Sequence, residues 1–211
     1  MDSSEKKESE IEIILTCLKN NPELRPKKTK GKETPDYNED YENEVKNKFL
    51  QAKNKNLNFA NSETIPDRAV SLILGSVNGY DEKKLIEIAK VHKESMTAEN
   101  MVGNLLEDYI ECELKEKGWI RCHGNVVKAV DFIKVNDDNS VRLLQIKNGR
   151  TTENSSSDKI RTGTNIEKWY RRDPKNNTDN WVNFPDEEAK KVLNEKGFQN
   201  FIVEKMKTIK K

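Results

Sequence analysis

Apolar positions along this chain come in clusters, and the spacing inside each cluster predicts its element. Ile11, Ile13, Ile14, Leu15 and Leu18 form a short helical cluster that ends at Asn20-Asn21-Pro22. Arg25 to Tyr41, with Pro26, Gly31, Pro35 and many charges, reads as an exposed linker. Glu42 to Lys55 is polar but carries Val45, Phe49 and Ala52 at helical spacing, which predicts a surface helix. Thr64-Ile65-Pro66-Asp67 is a helix entry with Thr64 as cap. The helix that follows carries Ala69, Val70, Leu72, Ile73, Leu74 and Val77 and stops at Asn78-Gly79. Another is expected from Asp81 to His92, and a longer one from Thr97 to Lys117, closed by Gly118. In that longer helix Met101, Leu105, Tyr109 and Cys112 form one stripe. Gly103, Glu107, Ile110 and Leu114 form a second line roughly opposite, so Glu107 is expected inside a covered face.

The period then drops from 3.6 to 2. Trp119 to Cys122 reads as a short strand, Gly124-Asn125 as a turn, and Val126 to Val135 and Val141 to Lys147 as two further strands. Asn136-Asp137-Asp138-Asn139-Ser140 between them is turn chemistry. A helix, a three-strand meander and a mixed tail predict an α+β fold. The expected division is a helical region over 1–92, serving packing or dimerisation, and a core over 93–211.

Composition sharpens this. Hydrophobic residues are 33% of the 211 and charged residues 36%, so the core is concentrated in part of the chain. The chain holds no apolar run long enough to span a bilayer, and Met1 to Glu12 lacks the apolar stretch of a secretory signal. The expected location is therefore the cytoplasm. Three widely spaced cysteines (Cys17, Cys112, Cys122) and two distant histidines (His92, His123) argue against a disulfide framework, a zinc site or multi-histidine catalysis. Any chemistry must then run on carboxylates, lysine and a metal. Net charge is +1, but from Arg142 to Arg172 eight bases oppose three acids. That basic window suits a polyanion, although a solvated charged surface would show the same count.

The hairpin carries the candidate chemistry. Pairing Val135 with Val141 sets Ile133 opposite Leu143 and Asp131 opposite Gln145. Alternation then puts Asp131, Gln145 and Lys147 on one side, with Val130, Phe132, Leu144 and Ile146 on the other. Opposed Cβ atoms lie about 4.5–5.5 Å apart, so a carboxylate, an amide oxygen and an ammonium share one working distance. This set suits metal-assisted phosphodiester hydrolysis. Asp131, Gln145 and the Ile146 carbonyl would offer oxygens to Mg2+, Lys147 would orient water or stabilise charge, and Glu107 would add a second carboxylate. An exposed strand face with a surface Asp–Lys pair would have the same spacing.

Asp131 followed by Gln145-Ile146-Lys147 resembles the PD-(D/E)XK nuclease signature in its Gln variant. More specific is the stretch beyond it. Gln145-Ile146-Lys147-Asn148, Glu153-Asn154-Ser155-Ser156-Ser157, Arg161-Thr162-Gly163-Thr164 and Lys168-Trp169-Tyr170-Arg171 resemble the SinI family of type II restriction endonucleases. So do Gly103-Asn104-Leu105-Leu106-Glu107 upstream and Asn180-Trp181 downstream. The resemblance covers about residues 95–185. It implies a PD-(D/E)XK (restriction endonuclease-like) core with a mixed sheet flanked by helices. It also implies a prokaryotic, Mg2+-dependent enzyme that cuts duplex DNA at GG(A/T)CC and works beside a cognate methyltransferase. Catalytic positions carry over as Asp131, Gln145 and Lys147, with Glu107 as the helix carboxylate; Gln145 departs from the acid of the general pattern.

The segment 148–172 is rich in residues that read base edges. Its DNA-binding candidates are Asn148, Arg150, Asn154, Ser155, Ser156, Lys159, Arg161, Thr164, Lys168, Arg171 and Arg172, with Arg161, Arg171 and Arg172 as the guanine readers. Trp169 and Trp181 are expected to be structural. A palindromic site is matched most simply by a homodimer. The rival readings are a DNA-binding module with a decayed nuclease site, and a repair or toxin nuclease of the same superfamily.

Overall fold

Among the described residues two apolar clusters lie one on each face of a five-stranded sheet. The computed structural model describes residues 9–27, 33–55, 57, 67–149, 161, 163–173 and 175–209. Helix α1 (Glu10–Asn20) starts where the Ser9 N–H donates to the Glu12 carboxylate at 2.9 Å, and it ends before Pro22. Helix α2 (Glu39–Lys53) is capped by Asn38, which accepts the Tyr41 N–H, and buries Tyr41, Val45 and Phe49 on one face. The helix therefore begins inside the stretch expected to be linker.

Helix α3 (Arg68–Asn78) is capped by Asp67, whose carboxylate accepts the Ala69 N–H at 2.8 Å; the expected cap, Thr64, lies outside the described residues. It closes at Gly79 in the left-handed conformation (φ 67). The two helices expected over 81–92 and 97–117 are a single 33-residue helix, α4 (Glu82–Leu114). Lys93-Glu94-Ser95-Met96 between them contains neither Gly nor Pro, so nothing stops propagation. The expected boundary at residue 92 thus falls within a continuous helix. Met101, Leu105, Leu106, Tyr109, Ile110 and Leu114 bury one broad face of α4, whereas Cys112, expected in the stripe, is exposed.

The strands are β1 (Trp119–Arg121), β2 (Phe132–Val135), β3 (Val141–Gly149), β4 (Ile166–Asp173) and β5 (Thr178–Asp179), in that order across the sheet. β1–β2, β2–β3 and β4–β5 are antiparallel, and β3–β4 is parallel. The fold is therefore α+β with a mixed sheet. The β2–β3 register matches the expectation, with Val135 opposite Val141 and Ile133 opposite Leu143.

The long strand expected over 126–135 does not form. Ala129 takes φ 59, a left-handed conformation that an L-residue adopts at a cost, and the chain bends there. Val126, Val127 and Val130 turn into the cluster formed with α1, α2, Ile133, Leu143 and Ile166. Val130 is thus on a different side from Phe132, Leu144 and Ile146, which join the cluster under α4 with Trp119, Trp169 and Trp181. Both Trp169 and Trp181 are buried, their rings 5.0 Å apart.

The C-terminal segment closes over the first cluster through helices α5 (Glu187–Lys190) and α6 (Glu195–Thr208). Asp186 anchors it. Its carboxylate accepts from Trp119 Nε1 at 3.0 Å, Lys134 Nζ at 2.8 Å and the Ala189 N–H at 3.0 Å. Burial alone would raise this carboxyl, but those donors hold it down at about 2.

Candidate active site

The β2–β3 ladder ends at Asp131, and its end is made by a side chain. The Asp131 N–H donates to Leu144 O at 2.8 Å, and the Asp131 carboxylate accepts the Ile146 N–H at 2.6 Å. One carboxylate oxygen has taken a place that a strand carbonyl would otherwise fill. This fixes Asp131 beside the middle of β3.

The parallel pairing of β3 with β4 builds the rest of the face. Lys168 is in register with Gln145, and Tyr170 with Lys147. Side chains alternate along each strand, so Gln145, Lys147, Lys168, Tyr170 and Arg172 point to one side. The same side is apolar at its other end, where Ile133, Leu143 and Ile166 bury against α1 and α2. The face is therefore not a fully open cleft: Gln145 is buried, while Lys147 and Lys168 are half-buried.

Glu107 arrives from α4. Its carboxylate accepts from Arg121 Nη2 at 2.9 Å, and the Arg121 guanidinium also holds Asp108 and Glu111. Burial first, and then the charge of Asp131, push the Glu107 carboxyl up to about 7, against the pull of Arg121. Burial also raises Asp131, opposed by the Ile146 N–H and by the charges of Lys147 and Arg121. The charge of Asp131 felt at Glu107, and those of Lys147 and Arg121 felt at Asp131, put the four groups in one electrostatic neighbourhood. His123 Nε2 lies 2.8 Å from Glu111 Oε1, and its ring meets Phe49 edge-on, which makes it part of the support.

The remaining candidates divide by face. Arg161 Nη1 donates to Gln145 Oε1 at 2.8 Å, so it joins the site directly. Thr164 Oγ1 donates to Arg161 O at 2.7 Å and shapes the turn that leads into β4. Arg172 donates to Asn177 Oδ1 at the β4 end. Asn148 and Arg171 project to the opposite side. There Arg171 Nε donates to Asn148 Oδ1 at 2.9 Å, its Nη1 pairs with Glu195 at 2.7 Å, and its guanidinium lies over the Phe198 ring. With 8% of Arg171 exposed, those contacts tie β4 to α6 and are not aimed at the Asp131 face. Arg150, Asn154, Ser155, Ser156 and Lys159 lie outside the described residues. Arg121 and Tyr170 were not foreseen. The triplet of acids at 107, 108 and 111 signals a cation opposite, but Tyr170 becomes a neighbour of Lys147 only through the parallel pairing.

Among the described residues no three His, Cys, Asp or Glu side chains form a metal cage. The donors on offer are two carboxyls both raised by burial, a neutral amide oxygen and a strand carbonyl. An all-oxygen set with few protein ligands fits a hard cation that keeps several waters, and the rise of both carboxyls, led by burial, is what a divalent cation would relieve.

Fold and face together define an α+β protein with an acid–amide–lysine site at the meeting of an antiparallel and a parallel strand pair. The chain belongs to the SinI restriction endonuclease family, whose model matches residues 1–208, a wider span than the motifs between about 95 and 185. It is 47% identical over 140 residues to the type II restriction enzyme Eco47I of Escherichia coli, covering 66% of this chain and 61% of that protein. It is also 47% identical over 148 residues to the type II restriction enzyme SinI of Salmonella infantis, covering 70% of this chain and 64% of that one. The match spans less than two thirds of the length of these curated relatives. Among the described residues no helix is long and apolar enough to cross a membrane.

Proposed function

We propose that this chain is a type II restriction endonuclease that hydrolyses phosphodiester bonds of duplex DNA with Mg2+, on a PD-(D/E)XK core. The observation that carries the reading is the Asp131 carboxylate on the Ile146 N–H, with Gln145 and Lys147 projecting beside it. Family membership and the two named relatives support it. The target expected from the family resemblance is GG(A/T)CC, the setting a prokaryotic cytoplasm, and the functional companion a methyltransferase that protects the same site.

Asp131, Glu107, Gln145 and the Ile146 carbonyl are the residues to hold Mg2+. When bound, the ion supplies charge stabilisation to the phosphoryl group and a more acidic water. Lys147 orients the attacking water by hydrogen bonding and offsets negative charge as it builds on phosphorus. Arg121 keeps the Glu107 carboxylate aimed at Asp131. Lys168 and Tyr170 extend the face along the strand that the DNA backbone would follow. Cutting both strands of a palindrome asks for two such sites, hence a homodimer.

The test is digestion of plasmid DNA by the purified chain. Discrete fragments with Mg2+, none with chelator, and fragment ends mapping to GG(A/T)CC are expected. Cutting that persists in chelator and in Lys147→Ala would overturn the assignment. Equal affinity for cognate and scrambled duplexes without any cutting would instead favour a DNA-binding module whose nuclease site has decayed.

A further inference from the structure

Helix α3 has no buried residue, yet its sequence is apolar around most of its circumference. A helix of that kind is normally covered, and an eleven-residue helix alone is marginal in water. Its neighbour is the first half of α4, with Gly75 so close that a Cβ there would lie 3.4 Å from Leu85 Cδ1. That contact covers one side only. Leu72 (62% exposed), Val77 (76%) and Ile86 (64%) remain in solvent, with Val70, Ile73 and Val91 each more than half exposed. Between the two helices runs an open groove of about 690 Å³, lined by Leu72, Leu85, Ile86 and Ala89.

We propose that the α3–α4 hairpin is the surface on which two copies of this chain pair, antiparallel and related by a two-fold axis. Two observations favour a second copy over another partner. The first is area. Six aliphatic side chains on this one hairpin are more than half exposed, with Leu72 and Ile86 lining the groove and the others flanking it; a stable interface of about 800 Å² per partner is the size that would cover the groove and a flank. The second is charge. The groove carries Glu82 at the end near the hairpin turn, and Arg68, Lys90 and Lys93 at the open end. A second hairpin laid antiparallel brings Glu82 of each copy to the basic end of the other, so the surface complements itself. A uniformly charged partner such as DNA would meet Glu82 as a repulsion and gain nothing from the aliphatic surface. The pairing deepens the two-site reading above, but its test does not involve cutting.

The full chain at micromolar concentration should sediment as a dimer. Leu72→Glu with Ile86→Glu should give a monomer of unchanged circular dichroism, because both side chains already lie in solvent. Charge reversal adds a check that leaves the aliphatic surface intact. Glu82→Lys alone, and Lys90→Glu with Lys93→Glu, should each weaken dimerisation about tenfold or more, and mixing the two variants should restore a heterodimer. A wild-type monomer at about 50 μM, well above the range of a stable interface, overturns the proposal. So does a dimer that survives Leu72→Glu with Ile86→Glu. Failure of the mixed variants to re-associate overturns the antiparallel arrangement. A monomer that cuts DNA would remove this inference and leave the endonuclease standing; a dimer that never cuts would do the reverse.

Discussion

Arg161 Nη1 donates to the buried Gln145 Oε1 at 2.8 Å, so an arginine from the segment expected to read DNA rests on the amide expected to serve the metal. A fork on guanine that recruits Nη1 has to give up the Gln145 oxygen, whereas a fork through Nε and Nη2 leaves it in place. In the first geometry recognition is linked to completion of the site. Arg161→Ala should lower affinity for the cognate duplex about 5- to 150-fold, the range of a bidentate Arg–guanine contact, with little change on scrambled DNA. It should also alter the Mg2+ affinity of the DNA-free protein, measured by calorimetry. Arg172→Ala, whose partner is Asn177, should leave that Mg2+ affinity unchanged. Equal metal binding by wild type and Arg161→Ala would break the link.

Removal of a charge from the site should be far more damaging than its loss at the rim. Asp131→Ala deletes both a proposed ligand and the acceptor of the Ile146 N–H, so cleavage should fall by several orders of magnitude. Glu107→Ala should be comparably severe, since Gln145 brings no charge of its own. Lys147→Ala should bind cognate DNA within a few-fold of wild type but not cut it. Single-turnover cleavage alongside filter binding measures both. A Glu107→Ala protein that cuts at the wild-type rate would exclude this carboxylate from the site.

How much of this was legible beforehand depends on what fixes each contact. The β2–β3 register could be read because a five-residue polar turn joins two runs of Val, Ile and Leu, leaving few ways to pair them. The place of Glu107 on a partly covered face of α4 could be read from helical spacing. The parallel partner β4 could not, because no tight turn ties it to β3, and Lys168 and Tyr170 gained their places only through it. The run from Val126 to Val130 misled for a different reason. An apolar stretch fits a strand and a buried bend equally well, and only the φ of Ala129 tells them apart. Arg171 looked like a DNA reader by type, and the acceptors Asn148 and Glu195 on the far side of the sheet claimed it instead.

Gly124 should tolerate no side chain. It takes φ 78 in the turn after β1, and a Cβ there would lie 2.7 Å from Lys48 O, in the last part of α2. Strain and a backbone clash combine, so Gly124→Ala should destabilise the fold by about 2 kcal/mol or more. Gly118, also at positive φ but with nothing within 4 Å, should lose less on the same substitution. Urea unfolding of the two variants compares them directly, and equal losses would show that α2 does not press on this turn.

Glu107 should leave a signature in the pH dependence of stability. Its carboxyl is raised from the ordinary 4.5 to about 7 by burial and by Asp131. Below 4.5 the folded and unfolded chains both hold this proton. Between 4.5 and 7 only the folded chain holds it, so the contribution of Glu107 to stability falls as pH rises through that window, and above 7 the loss is complete. The size is on the order of 2 kcal/mol, since each unit is worth about 1.4 and water at the exposed part of the side chain screens some of it. Glu107→Gln removes the titration while keeping an oxygen for Arg121. The stability of wild type minus that of Glu107→Gln, from urea unfolding without metal, should therefore decrease from pH 5 to 7.5. Adding Mg2+ at the upper end should restore much of the loss in wild type and little in the variant. A difference that stays flat with pH, or grows, would mean that burial and the charge of Asp131 do not raise the Glu107 carboxyl in the folded protein.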